Sequence, residues 1–460
     1  MPTECNPEPM VFARLDGRAV VADFGGGAMT SDAGALLLGA TDKRIALSER
    51  FAACFCDGRA SRRVVHGIDS LVSQRVFGIA LGYEDLIDHD ELRHDPVLGT
   101  VLGKLEAKRP GCAALAGKST LNRLEHAPAG PDRYRRIGHD PAAIEDLFVD
   151  LFVEAYPKAP ERIVLDLDAS DDPIHGHQEG RFFHGYYDCY CYLPLYVFCG
   201  DHLLAAKLRR SNIDASAGAL EEVARIVGRI RARWPRVEIL LRADSGFARE
   251  ALMAWCEANR VDYLFGLQRT TRLAAHIRGE LAQAKAQAQA SGQAARRFAD
   301  FAWTTLTGWS RRRRVVAKAE WMPGRGGKGA NPRFVVTSLA AQEIGARRLY
   351  EQLYCARGDM ENRIKECQLD LFADRTSAAT MRANQLRFWF AAMAYVLLSA
   401  LRRIALAGSR LAKASCGSIR LKLLKIAAQL RRSVRRIRIA MASACPYAEE
   451  FALAHARLCT

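Results

Sequence analysis

The chain has 460 residues, of which 49% are hydrophobic and 26% charged, and Lys+Arg 67 against Asp+Glu 51 gives a net charge of +16. That length can bury large cores and predicts about two to four domains, and the hydrophobic share excludes wholesale disorder. The basic excess favours a polyanionic partner.

Thirteen cysteines are scattered through the chain. The close pairs Cys54/Cys56 and Cys189/Cys191 are spaced C-x-C with no second knuckle nearby, which argues against structural zinc. The odd count and the missing signal peptide predict reduced thiols in a cytosol.

Residues 1–155 read as mostly helical. Arg18–Phe24 alternates like a short strand and ends in Gly25-Gly26-Gly27, a helix begins in Ser31–Leu38, and Leu71–Leu81 has helical apolar spacing. Basic clusters lie at Arg59–Arg63 and Arg133–Arg136. Ala116–Thr120 (AGKST) imitates a phosphate-binding loop, but Cys112 stands where the motif needs glycine and no strand precedes it.

Residues 156–268 change character. Ile163–Asp168, Tyr190–Phe198, Leu203–Leu208, Val237–Arg242 and Tyr263–Leu267 read as strands, and Ala215–Trp234 and Ala248–Asn259 as helices. This order predicts an α/β fold: a mixed sheet with helices on its faces. Residues 269–340 read as a β-rich insertion after an Ala/Gln/Lys tract at Leu281–Ala295, with short runs separated by the Gly-rich stretch Gly324–Gly329.

Residues 341–405 return to long helices. Phe388–Leu401 is apolar but shorter than the ~20 residues that span a bilayer, so a buried core helix is expected and no membrane partner. In the tail, 406–460, Ile419, Leu423, Ile426, Leu430, Val434 and Ile437 recur at helical spacing. Ten Lys/Arg and no acid lie from Arg410 to Arg438. A basic helix is expected there, either solvated or against a DNA backbone.

Three carboxylates carry the chemistry. Asp168 closes the run IVLDLD, Asp244 closes VEILLRAD, and Glu361 lies in the helical stretch Tyr354–Glu366. An acid at the end of a buried strand is costly unless it is paired or holds a metal. An Asp, Asp, Glu set suits Mg²⁺ or Mn²⁺, and two such ions can activate water and stabilise both oxygens of a phosphodiester displacement. Asp166 shares a strand face with Asp168 and competes for the first ligand position. Tyr354, Arg357, Glu361 and Lys365 fall on one helix face, where Arg357 and Lys365 could position phosphates.

His175, His177 and His184 follow the first acid in what reads as a hairpin near the site, suited to substrate contact or a plain turn. Trp303, Trp309 and Trp321 alternate with Arg312 and Arg314 in the insertion, a pattern that can stack on bases and clamp phosphates, or simply build a small core.

Taken together, Asp23-Phe24-Gly25-Gly26, Ser31–Leu38 (SDAGALLL), Ala80–Leu92 (ALGYEDLIDHDEL), Leu165–Gly176 (LDLDASDDPIHG), Tyr192–Gly200 (YLPLYVFCG), Arg242–Phe247 (RADSGF) and Tyr354–Glu366 resemble the DDE transposases of bacterial insertion sequences, group one. The resemblance implies an RNase H-like core with Asp168, Asp244 and Glu361 as the DDE triad, spaced 244 − 168 = 76 and 361 − 244 = 117. The long second gap matches the β insertion that related transposases carry there.

Tyr354, Arg357 and Glu361 fit the Y-x2-R-x3-E part of the related signature. The Lys expected seven residues beyond the Glu is Gln368 here, and Lys365 could serve instead. The resemblance further implies recognition of terminal inverted repeats in double-stranded DNA through the N-terminal region, and a homodimer assembled on DNA. It also implies metal-dependent cleavage, strand transfer by the 3′-OH, and a bacterial cytoplasmic setting at the nucleoid. A nuclease of the same fold without strand transfer, and a DNA-binding protein with a decayed site, are the alternatives.

Overall fold

The computed structural model describes residues 9–323 and 329–459, so the Gly-rich stretch 324–328 lies outside the described residues. The chain divides into two compact units: Met1–Asp140 with Asp370–Phe372 and Phe390–Thr460, and Pro141–Leu369 with Ala373–Trp389.

The second unit is built on one nine-stranded sheet. Its main strands are β1 (Arg162–Ala169), β2 (Leu195–Cys199), β3 (His202–Lys207), β4 (Glu238–Ala243), β5 (Asp262–Leu267), β6 (Ala295–Trp303), β7 (Arg313–Met322) and β8 (Arg333–Thr337). Across the sheet the order is β3-β2-β1-β4-β5-β8-β7-β6, with Gly329–Ala330 paired to β7. β1, β4 and β5 run parallel, while β2 is the antiparallel neighbour of β1 and β3 pairs antiparallel with β2.

Three antiparallel strands followed by two parallel ones joined through helices, in order 3-2-1-4-5, is the RNase H-like arrangement. Helices Ala219–Arg233 and Glu250–Ala258 supply the crossovers that parallel pairing requires. Their apolar faces (Val223, Ile226, Ile230, Leu252, Met253) join Leu165, Leu167, Ile239 and Leu241 in one core.

Two expectations are corrected in this unit. Tyr190–Phe198 is not one strand: it breaks at Leu193-Pro194, and Cys189–Tyr192 pairs instead with Phe182–His184 and Asp172–Pro173 in a small separate sheet. Proline cannot donate to a ladder, so a strand ends there. The β-rich segment does not form a small fold of its own either. β8 pairs with β5, so β6 to β8 lengthen the core sheet, and the Ala/Gln/Lys tract is the helix Arg278–Ser291.

The first unit is mostly helical, with helices Ala35–Ile45, Ile68–Leu81, Lys118–Glu125 and Ala448–Cys459 among its elements. Its motif residues are tied to the tail. Buried Asp32 accepts from the Tyr83 hydroxyl at 2.6 Å and pairs with Lys425 at 2.7 Å. A Cβ on Gly34 would lie 2.2 Å from the Leu424 Cα, so only glycine fits under that turn.

The basic helix expected in the tail is corrected. Helical turns break off at Leu424 and resume only at Ala448; between them β9 (Ala428–Arg432) and β10 (Ile437–Met441) form a hairpin whose β9 pairs with Met29–Thr30. Helix Met381–Ala405 is long and apolar enough to cross a membrane by composition, yet 83% of its most apolar 18-residue window is buried inside the fold, as a core helix requires.

Candidate active site

Strand register places the first two acids. β1 and β4 are parallel, with Leu167 opposite Ala243. The next residue on each is Asp168 and Asp244, so both carboxylates leave the sheet on one face at its carboxyl end, where open α/β sheets build sites. Asp244 caps the turn that follows, its Oδ1 accepting from the Gly246 amide at 2.8 Å, while Oδ2 has no hydrogen-bond partner among the described residues.

β5 permits this turn to sit close. A Cβ on Gly266 would come within 2.6 Å of the Tyr354 hydroxyl and 2.8 Å of the Ser245 nitrogen. Gly266 is therefore the floor on which the Asp244 turn and Tyr354 rest, and side-chain patterning gave no sign of it.

Asp166 and Asp168 part company here. Arg242, opposite Asp166 on β4, holds both of its oxygens at 2.5 and 2.7 Å and donates to the Leu353 carbonyl. Both partners of this pair are buried. Both of its oxygens are engaged by a guanidinium, so the Asp166 charge is already compensated within the fold. It ties β1, β4 and the segment bearing Glu361 together.

Asp168 has only a 3.4 Å contact from Arg357 and its own strand's Ala169 amide at 3.0 Å. Burial pushes its carboxyl up to about 7. Arg357 opposes that, while nearby Asp244 and Glu361 add to it.

Glu361 arrives on an irregular helical run. Leu349–Tyr354 is wound as a π-helix, Cys355–Arg357 as a tight 3₁₀ turn, Gly358–Lys365 as α, and Glu366–Asp370 as π again. Such wide turns are common where side chains must be re-aimed at a site. Arg357 donates to Glu361 at 3.0 Å while facing Asp168, so one guanidinium links the third acid to the first. Lys365 is exposed and without an ion pair among the described residues. Gln368 instead reaches the end of β1, donating to the Asp171 carbonyl at 2.9 Å.

The other residues expected to contact DNA each have partners within the fold. Trp303 and Trp309 pack against the core, with Arg272 and Arg313 over their rings. Trp321 is half-buried under the Lys285 ammonium. Arg314 is held by Asp300 at 2.6 Å and by the carbonyls of Leu339 and Ile344, which occupies most of its donors. Arg312 is exposed and donates to the Ala302 carbonyl.

His177 meets Arg181 at 2.7 Å, and His184 packs beside Tyr187, so the histidines serve the hairpin and do not form a ligand set. The residue that sequence reading missed is Tyr187, whose hydroxyl donates to the carbonyl of Ala169, next to Asp168, at 3.3 Å.

Among the described residues, no three His, Cys, Asp or Glu side chains are gathered as a ready metal site. The donors nonetheless fit a hard divalent cation. All three are carboxylates, Asp244 keeps a free oxygen, and Arg357 is the one cation that contacts Asp168 and Glu361 among the described residues. Asp168, Asp244 and Glu361 are the residues that would hold such an ion.

An RNase H-like sheet with acids at the ends of its first and fourth strands and on a following helix defines the class of metal-dependent polynucleotidyl transferases. The family model for transposase DDE domain group 1 matches residues 12–460, and the chain belongs to that family. It is a DDE transposase, a metal-dependent enzyme acting on DNA. No curated protein matches it. Among solved structures it is similar to a piggyBac transposase synaptic complex with hairpin DNA, at 10% identity over 86% of this chain and 80% of that one, with a TM-score of 0.39.

Proposed function

We propose that this transposase cuts DNA at the terminal inverted repeats of an insertion sequence and joins the freed 3′-OH to target DNA. The observation that carries this reading is the in-register placement of Asp168 and Asp244 on adjacent parallel strands, with Arg357 linking Asp168 to Glu361. Two Mg²⁺ or Mn²⁺ ions held by these acids would supply an activated water and charge stabilisation at phosphorus.

The chain's own groups do the positioning. Arg242 locks Asp166 so that β1 and β4 stay in register, Gly266 and Tyr354 set the Asp244 turn, and Arg357 is the guanidinium nearest the acids for orienting a phosphate.

The first unit supplies surfaces suited to duplex ends. Arg59, Arg63, Arg123 and Arg136, from the two basic clusters and the helix between them, line a concavity of about 600 Å³. On the β9–β10 hairpin Arg431, Arg432, Arg435, Arg436 and Arg438 are all exposed. Neutralising phosphates with such side chains gives affinity that falls steeply with salt. A homodimer assembled on two ends, working at the bacterial nucleoid, completes the proposal.

The test incubates purified protein with Mg²⁺ or Mn²⁺ and labelled DNA carrying the ends of its own locus, alongside Asp244→Asn. Metal-dependent cuts at the repeat boundary and joined products, both lost in the variant while end binding survives, are expected. Cutting without joining or end preference would point to a nuclease, and binding without cutting to a DNA-binding relic.

A further inference from the structure

Trp303, Trp309 and Trp321 are each half-buried, yet a more open aromatic surface stands on the hairpin that follows β1. The hairpin Phe182–His184/Cys189–Tyr192 leaves the carboxyl end of β1 and carries Phe182, Phe183, Tyr186 and Tyr190, with Tyr186 85% exposed at its tip. Aromatic faces of this size are rarely left in water without a partner. The hairpin is held firmly. The Asp188 amide bonds to the His184 carbonyl at 2.9 Å, Asp188 takes a left-handed turn (φ 55), and Phe183 packs edge-on against Tyr190 at 5.6 Å. Arg181 lies over the Tyr190 ring at 4.6 Å and adds positive charge to the same ribbon.

Its distance from the chemistry is short. Tyr187 anchors the tip through its bond to Ala169, and its ring meets Tyr186 edge-on at 5.0 Å between centroids. Burial raises the pKa of the Tyr187 phenol, and the charges of Asp171, Asp168 and Asp244 raise it further. Tyr186 is thus joined to the residue after Asp168 through one ring contact and one hydrogen bond.

We propose that Tyr186 stacks on an unpaired base next to the scissile phosphate, so that this hairpin holds a distorted strand in front of the acids. This rests on the reading of the site as one that cuts DNA. The exposed ring offers a face that any base can cover, and stacking of this kind is tolerant of sequence. Drawing a base out of the duplex lets the phosphodiester reach a site set at the end of a sheet, and a base already unpaired costs less to draw out. Tyr186 is here a positioning residue, and the acids do the chemistry.

The test uses the full chain and two probes. Fluorescence anisotropy with a 12-nucleotide single strand compares wild type, Tyr186→Ala and Tyr186→Phe. Loss of about tenfold or more in affinity is expected for Tyr186→Ala, with most of it kept in Tyr186→Phe, because the face and not the hydroxyl is used. Cleavage of the locus end is then compared on a paired probe and on one mismatched at the bases flanking the cut. Tyr186→Ala should be slow on the paired probe and recover on the mismatched one, where unpairing is already provided.

Wild-type single-strand affinity in Tyr186→Ala, or an equal cleavage deficit on both probes, overturns the proposal. If wild type does not cut the locus end while the single-strand affinity loss holds, the repeat-cleavage reading fails and the stacking assignment stands.

Discussion

Asp166 and Asp168 lie two residues apart on one strand and face the same side, yet they meet guanidinium groups in opposite ways. Asp166 is gripped through both oxygens by buried Arg242, which also donates to the Leu353 carbonyl. Asp168 has a single 3.4 Å contact to Arg357, a side chain shared with Glu361. The first pair is complete within the protein and holds strands together. The second leaves net negative charge among three acids, which a divalent cation can answer. The pair at the sheet's middle is structure, and the loosely held acid one step nearer the strand's end is where chemistry can occur.

The largest expected effect separates the two by substitution. Asp168→Asn should abolish metal-dependent cleavage while the protein melts at or above the wild-type temperature, since a buried and crowded charge is removed. Cleavage assays and calorimetry on the same preparation check this.

Arg242→Ala should do the reverse in kind. It leaves Asp166 buried without its counter-ion, at a cost of about 3–5 kcal/mol. In a unit of this size that lowers the melting temperature by roughly 10 °C, and a thermal scan reads it directly.

Gly266→Ala sharpens the comparison from the Asp244 side. The added Cβ would press on the Tyr354 hydroxyl and the Ser245 nitrogen. A shift of the turn by an ångström should cost about 10²-fold in cleavage, with DNA binding kept. Unchanged cleavage would mean that the turn's position is not critical.

The smallest effect is a pH dependence. The Asp168 carboxyl sits at about 7, above its ordinary value, so the folded chain binds a proton that the unfolded chain releases between roughly pH 4 and 7. Its contribution to stability is present at low pH and lost as pH rises through 7. Without metal, the melting temperature should therefore fall from pH 6 to pH 8. Added Mn²⁺ should recover it most at pH 8, where the carboxylate is free to bind. Asp168→Asn should flatten this part of the profile, and if it does not, another group is titrating.

Much of the site was legible because acids at the ends of apolar strands are improbable unless they are used. Asp168 and Asp244 stood out for that reason, and Tyr354, Arg357 and Glu361 for their spacing. The choice between Asp166 and Asp168 was not legible. Alternation puts both on one face, and only the cross-strand partner Arg242 separates them.

The tail misled for a related reason. Ile419 and Leu423 are buried on helical turns, but Leu430 and Ile437 lie half-buried on paired strands. β9 finds Met29–Thr30, some 400 residues earlier in the chain, to pair with. The tryptophans looked like stacking residues because arginines alternate with them. Each is half-buried in the fold with a cation over its ring, contacts that local pattern does not encode.

The sequence by itself determined the basic character and the apolar strands of the core, and it singled out three candidate acids, because composition and side-chain period act locally. The tertiary structure alone decided which carboxylate is neutralised, which glycine must stay bare and which aromatic rings face solvent beside the acids. Those outcomes depend on what residues distant in the chain bring into contact, and burial, pairing and close approach are properties of those contacts.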